Sequence, residues 1–279
     1  KTITIIEPPV VDAGANFSFC EESNQFTIGD ASINGAYTGI SWTTNGSGGT
    51  LTDSDKLTPT YIPSAQDYIN GSVLLTMEVS GNGTCPVEPD SVLVTLVPNP
   101  TATIPATNAS ICEGDTYTIS GAQVINEDSY YWTATAGRIE NPNVKNPTFT
   151  PTADDISNGS VTLRLSVDSL DPCSNVISDD ITINITSLPL VDAGIDATIC
   201  AGTYTHNGSS VSNANAYEWT VLSGNGTIDP ATKNSISPVY ITDPLDNNNT
   251  VTLRLTATSI NPCIHTIYDD VEFTVTPAP

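Results

Sequence analysis

The chain has 279 residues, with 31 acidic side chains against 7 basic ones and a formal charge of −24. A surface of that sign repels nucleic acid and anionic lipid, which excludes both as natural partners. No stretch approaches the roughly 20 consecutive apolar residues that span a bilayer, so no membrane span is expected within the chain.

The acidity is evenly spread. Residues 10–98, 99–188 and 189–279 hold 10, 11 and 9 acids against 1, 3 and 2 bases. Those three stretches are also three copies of one pattern, and they are the expected domains. Cys20, Cys112 and Cys200 open the copies, Trp42, Trp132 and Trp219 follow, and Cys85, Cys173 and Cys263 close them. A period of about 90 residues is near the size of a small β-sandwich that can bury its own core. The opening KTITIIEPP (1–9) matches the copy ends VLVTLVPNP (92–100), ITINITSLP (181–189) and VEFTVTPAP (271–279). It reads as the last strand of a preceding repeat or a linker, so a segment of a longer array is expected, with its export signal and anchor elsewhere.

Hydrophobic periodicity within a copy is two throughout, with no helical pattern beyond one turn. In the middle copy, TIPATNASIC (103–112) predicts a first strand, 113–115 a tight turn and TYTISG (116–121) a second strand. SYYWTAT (129–135) predicts a third strand carrying Tyr130 and Trp132 on one face. A turn at Gly137 leads to a short fourth strand, and PTFTP (147–151), like PTYIP (59–63) and PVYIT (238–242), to a fifth. The polar link TADDISNG (152–159) has room for one helical turn. VTLRLSV (161–167) is the clearest strand, with Val161, Leu163, Leu165 and Val167 alternating inward, and VLLTMEV (73–79) and VTLRLTA (251–257) repeat it. ITINIT (181–186) makes a seventh strand. Seven short strands around a core tryptophan describe an all-β, immunoglobulin-like sandwich. Short Pro-rich joints at 97–100 and 188–189 predict that the sandwiches follow one another as an extended rod.

Six cysteines at repeated positions, without CxxC spacing or histidine partners, indicate disulfides and an exported protein. Strand parity places the first cysteine of each copy at one pole of its sandwich and the second at the opposite pole, roughly 20–26 Å away. A disulfide needs Cα atoms within about 7 Å. In a head-to-tail array the pairing Cys20–Cys173 and Cys112–Cys263 across the joints follows, with Cys85 and Cys200 left for neighbouring repeats. Losing the fourth strand would reverse the parity and restore the alternative: Cys20–Cys85, Cys112–Cys173 and Cys200–Cys263.

Other candidate sites are weaker. Mid-strand Trp42, Trp132 and Trp219 each follow an apolar residue two positions earlier, which makes them core rather than a sugar platform. Asp12 and Asp192 lie near the joints, and Asp179, Asp180, Asp269 and Asp270 (with Asp90 in the first copy) open the seventh strand. Such carboxylates could gather calcium, but the middle copy has Ile104 where Asp12 and Asp192 stand, and solvated turn carboxylates are the plainer reading. No other cofactor is expected. His206 stands where Ile28 and Ile119 stand in the second strand, and reads as a rim histidine. His265 lies near Cys263, and two histidines in one copy cannot make a repeated catalytic pair. Lys56, Lys145 and Lys233 recur before the fifth strand as surface charge. The Asn-x-Ser/Thr sequons, Asn16 and Asn158 among them, reflect an Asn/Ser/Thr-rich surface. No nucleophile–base or paired-carboxylate set recurs, so no enzyme is expected in these residues.

The succession VDAG, Cys, TYT, YxWT, NPTFTP or TPTYIP, and NGSVTL resembles the PKD-like repeats of giant cell-surface adhesins of Bacteroidetes, including those of gliding motility. The resemblance covers all three copies. It implies export by type IX secretion, display as a surface filament that bears tension in adhesion and gliding, and as partners the neighbouring repeats and proteins of the filament or gliding machinery. Rival readings are a glycan- or protein-binding module and the accessory domains of a secreted enzyme. The third copy departs from the pattern at His206 and at DPLDNNNT (243–250).

Overall fold

The computed structural model describes residues 7–81 and 86–278. The first copy contributes β1 (Val10–Asp12), β2 (Phe17–Cys20), β3 (Phe26–Thr27), β4 (Ser32–Asn34), β5 (Tyr37–Thr44), β6 (Thr50–Thr52), β7 (Thr60–Ile62), helix α1 (Ala65–Asn70), β8 (Ser72–Gly81) and β9 (Asp90–Val97). The same order recurs as β10 (Thr101–Thr103), β11 (Asn108–Cys112), β12 (Tyr117–Thr118), β13 (Gln123–Ile125), β14 (Glu127–Ala134), β15 (Arg138–Glu140), β16 (Thr148–Thr150), α2 (Ala153–Asn158), β17 (Ser160–Ser169) and β18 (Val176–Thr186). It recurs again as β19 (Leu190–Asp192), β20 (Ala197–Cys200), β21 (Thr203–Thr205), β22 (Ser210–Ser212), β23 (Ala214–Ser223), β24 (Thr227–Ile228), β25 (Val239–Ile241), β26 (Thr250–Ser259) and β27 (Thr266–Thr276). The expected strand at residues 1–9 lies mostly outside the described residues, as does Cys85.

Chain contacts sort into two compact units. One runs to Thr103 and takes in Ala122–Tyr131 and Leu165–Asp179; the other comprises Ile104–Gly121, Trp132–Arg164 and the chain from Asp180 onward. The middle copy is therefore shared between them.

In the first unit the sheet β2-β9-β8-β5 stands over two short ladders, β1-β4 and β3-β7-β6. Between them lies a core of Phe26, Ile28, Trp42, Tyr61, Val73, Leu75, Met77, Val92 and Val94. In the second unit β20-β27-β26-β23 stands likewise over β19-β22 and β21-β25-β24. Its core is Trp219, Tyr240, Val251, Leu253, Leu255, Val271 and Phe273. The alternation read in residues 161–167 holds, with Val161, Leu163, Leu165 and Val167 at most 3% exposed.

The seven expected strands become nine because the first two of each copy break. β1 pairs antiparallel with β4, whereas β2 pairs parallel with β9, placing Cys20 opposite Val97. The third copy does the same, with β20 parallel to β27 and Cys200 opposite Thr276. In the middle copy β11 runs parallel to β18, with Cys112 opposite Thr186. The break needs a residue that can leave the strand conformation. Gly14 has φ +96°, and a Cβ there would lie 2.2 Å from the Asp30 carboxylate, so only glycine fits. Pro105, which has no N–H to offer a ladder, stands in the middle copy's break.

The link before the sixth strand forms a real helix in two copies. Ser64 with Asp67, and Thr152 with Asp155, make complete capping boxes. Such a box satisfies first-turn N–H groups that have no partner inside the helix. Pro244 and the asparagines of the third copy support only a 3-10 turn, Pro244–Asp246, as their poor helix propensity dictates. Among the described residues no helix is long and apolar enough to cross a membrane.

Candidate functional site: the cystine joints

β2 ends at Cys20 because a 3-10 turn, Glu21–Ser23, follows it. Its parallel neighbour β9 ends at the same level with Val97 and passes into Pro98, Asn99 and Pro100. The tight loop after β17 brings Cys173 to this spot. Its backbone is closed by Cys173 N–H to Leu170 C=O (2.9 Å) and Ser169 N–H to Asn175 C=O (3.2 Å). Cys20 is bonded to Cys173 with Cα atoms 5.5 Å apart. Cys20, Val97 and Cys173 form a small buried cluster of their own.

Asn99, in the linker, is gripped on three sides. Its N–H donates to the Glu21 carboxylate at 2.8 Å. Its C=O accepts from the Asn126 side chain at 3.1 Å, and its Oδ1 accepts from Asn175 Nδ2 at 3.1 Å. Glu21 belongs to the first copy of the sequence, and Asn126 and Asn175 to the second.

The second unit holds an equivalent arrangement. Cys112 is bonded to Cys263 with Cα atoms 4.9 Å apart. Glu113 accepts the N–H of Leu188 at 2.9 Å. The loop carrying Cys263 is closed by Cys263 N–H to Ile260 C=O and by Ser259 N–H to His265 C=O, each at 3.0 Å. Cys200 is a free, exposed thiol, and Ala201 stands where Glu21 and Glu113 stand in the other copies.

The candidate calcium carboxylates are engaged separately. Asp12 and Asp192 accept the N–H of Gly14 (3.0 Å) and Gly194 (2.8 Å). Asp90 and Asp269 accept those of Ala13 and Ala193, both at 2.8 Å. Asp180 and Asp270 receive two-pronged bonds from Arg164 and Arg254 at 2.7–2.8 Å. Those guanidinium groups hold both carboxyls below their usual range. Arg254 also lies 3.7 Å from the ring centre of Tyr268. Asp179 lies in β18. Among the described residues no three His, Cys, Asp or Glu side chains gather as a metal-holding group.

Two of the recurring lysines meet a tryptophan through their backbone carbonyls. Trp42 Nε1 donates to the C=O of Lys56 (2.9 Å), and the backbone N–H of Trp219 to the C=O of Lys233 (2.8 Å). Trp42, Trp132 and Trp219 are 2–3% exposed. Lys56 and Lys233 pair with Asp53 and Glu218 at the surface, and Lys145 sits in an exposed loop.

His206 corrects the expectation of a rim residue. It is 1% exposed, 5.1 Å from the Phe273 ring and 5.7 Å from that of Trp219. Its Nε2 bonds the C=O of Ala193 at 2.7 Å, and its Nδ1 has no partner among the described residues. The position faces the core in every copy, so the imidazole goes where Ile28 and Ile119 go. Because the site already takes isoleucine, His206→Ile should change stability by less than about 1.5 kcal/mol, while His206→Ala should cost about 2–4 kcal/mol through the cavity it leaves. Chemical denaturation of the variants checks both values.

A buried carboxylate in each copy was missed by the sequence reading. Asp67 is 0% exposed. It accepts from the backbone N–H of Ser47 (2.5 Å) and Ser64 (2.8 Å) and from the Tyr61 hydroxyl (2.9 Å). Burial alone would push this carboxyl up, but those bonds outweigh it and hold it below its usual range. Tyr61 is pushed up to about 12 by burial and by its bond to Asp67. Asp246 repeats the arrangement with Asn225, Gly226, Asp243 and Tyr240. In the middle copy Phe149 replaces the tyrosine, and Asp155 keeps one oxygen on Thr152 while the other has no partner among the described residues. The available signal was the recurrence of SAQD, TADD and DPLD, a capping pattern, after the fifth strand.

No protein-family model matches the chain, nor does any curated protein. Among solved structures it is similar to the Protocadherin GammaB4 extracellular domain, at 14% identity over 97% of this chain and 49% of that one, with a TM-score of 0.51. It is also similar to the Protocadherin gammaB7 EC3-6 cis-dimer structure, at 11% identity over 98% and 74% of the two chains, with a TM-score of 0.51. The chain spans about half the length of the GammaB4 structure. The likeness is one of fold, and with the sheets described above it defines the class: an all-β chain of tandem β-sandwiches.

Proposed function

We propose that this chain is a non-enzymatic, tension-bearing stalk segment of an extracellular, cell-surface adhesin. Its sandwiches would be residues 10–98, 99–188 and 189–279, following one another along the chain. The observation that carries this reading is the pair of bonds Cys20–Cys173 and Cys112–Cys263, each joining one sequence copy to the next. A bond inside each copy would stabilise a bead; a bond between copies ties the beads together. The shared fold with protocadherin extracellular domains supports an adhesion role. The repeat motifs support a filament like the repeat region of the gliding-motility adhesin SprB, with type IX export. Its partners are then further repeats of the same protein and components of the filament or gliding machinery.

Cys200 has the place in its ladder that Cys20 and Cys112 have in theirs, so its partner would be a closing cysteine of a further repeat. In the isolated segment Cys200 should label with a maleimide under native conditions, while Cys20, Cys112, Cys173 and Cys263 label only after reduction. Peptide mapping without reductant tests the reading itself. Peptides joining Cys20 to Cys173 and Cys112 to Cys263 support it, and Cys20–Cys85 with Cys112–Cys173 would overturn it.

A further inference from the structure

We propose that the two disulfides make the covalent path through this chain redundant, so that one backbone cut anywhere from Cys20 to Cys263 leaves its two ends joined. The inference rests on the stalk reading and adds tolerance of proteolytic damage to it. The bonds span 153 and 151 residues and they interleave, because Cys112 falls inside the first ring and Cys173 inside the second. Every peptide bond from Cys20 to Cys263 is therefore enclosed by at least one ring, and those from Cys112 to Cys173 by both. Hydrolysis consumes one water and leaves a new carboxylate and a new ammonium; neither sulfur–sulfur bond takes part.

Several exposed loops fall within the rings. Exposed loop tips are the preferred sites of nicking. Residues 141–146 are all exposed and lie inside both rings, while the exposed Asp55–Lys56 pair lies inside the first only and the loop at 229–237 inside the second only. Pairing within each copy would give no such cover to the joints, since a cut at Pro98 or Leu188 would then lie outside every ring.

The test uses the full chain with Cys85→Ser and Cys200→Ser to prevent exchange, and a sequence-specific protease site placed in either the 53–57 or the 141–146 loop. After cutting, denaturing electrophoresis without reductant should show one band of uncut mass, and two bands with reductant. The 53–57 cut should release two fragments without reductant in Cys20→Ser/Cys173→Ser but not in Cys112→Ser/Cys263→Ser. The 141–146 cut should release them only when all four cysteines are replaced. Two bands from the oxidised parent, or release of the 53–57 cut by Cys112→Ser/Cys263→Ser, would overturn the proposal. The same cut chain is then held by its ends under load. A tether that survives supports the stalk reading. A tether that parts while the gel shows one band refutes load-bearing and leaves the ring topology standing.

Discussion

Pulled from its two ends and fully unfolded with both disulfides intact, this chain should extend to about 350 Å; after reduction it should reach about 1,000 Å, at up to about 3.6 Å per residue. The difference follows from connectivity. Load enters through residues 1–20, crosses to Cys173, returns along the chain to Cys112, crosses to Cys263 and leaves. At full extension residues 21–111 and 174–262 stay slack, so about 100 of the 279 residues set the length. The bonds also close the ladders that a load would shear. β2 and β9 run parallel, so pulling the start of one against the end of the other strains all their hydrogen bonds together. Cys20 and Val97 end that ladder side by side, one bonded to Cys173 and the other adjoining a linker held at Asn99. Single-molecule force spectroscopy with and without reductant reads the ratio, and equal lengths in the two states would refute the connectivity.

The second large effect concerns the buried carboxylates. Asp67→Ala should destabilise its sandwich by about 3–5 kcal/mol, because the N–H groups of Ser47 and Ser64 and the hydroxyl of Tyr61 lose their acceptor at once and each buried donor left unmade costs about 1–3 kcal/mol. Asp246→Ala should cost as much. Asp155→Ala should cost less, since that carboxylate serves Thr152 alone among the bonds described and already has one unpartnered oxygen. The pH dependence has a definite sign. The carboxyls of Asp67 and Asp246 sit lower in the folded chain than the ordinary value. Their contribution is therefore complete above about pH 4, the unfolded range, and is lost as pH falls through the depressed folded values. Denaturant unfolding between pH 2 and 7 should show stability falling in that acid window, and Asp67→Asn and Asp246→Asn should flatten the fall.

Much of the fold was legible before any coordinate. Period-two alternation in VTLRLSV and its two relatives specifies a strand with one face inward, because a slip of one residue would turn every valine and leucine to water. The tryptophans' burial followed from the same alternation. Less legible was the break between β1 and β2. It depends on a left-handed glycine in two copies and a proline in the other, and neither is part of an apolar pattern. The carboxylates at the joints looked like one candidate group in sequence, yet Asp12, Asp90 and Asp192 each serve a nearby backbone N–H and Asp180 and Asp270 each face an arginine. Local hydrogen bonding and cross-strand pairing dispersed them.

By itself, then, the sequence determined the threefold repeat, the β-sandwich class and the strand ends at which the cysteines stand, because periodicity and turn residues act over a few positions. It left two disulfide pairings open, since parity turns on whether one short strand exists. Only the tertiary structure sets Cys173 beside Cys20 and Val97, turns His206 inward and gives Asp67 its distant donor at Ser47. Each of those depends on groups far apart in the chain meeting in space, and no short-range pattern encodes which ones meet.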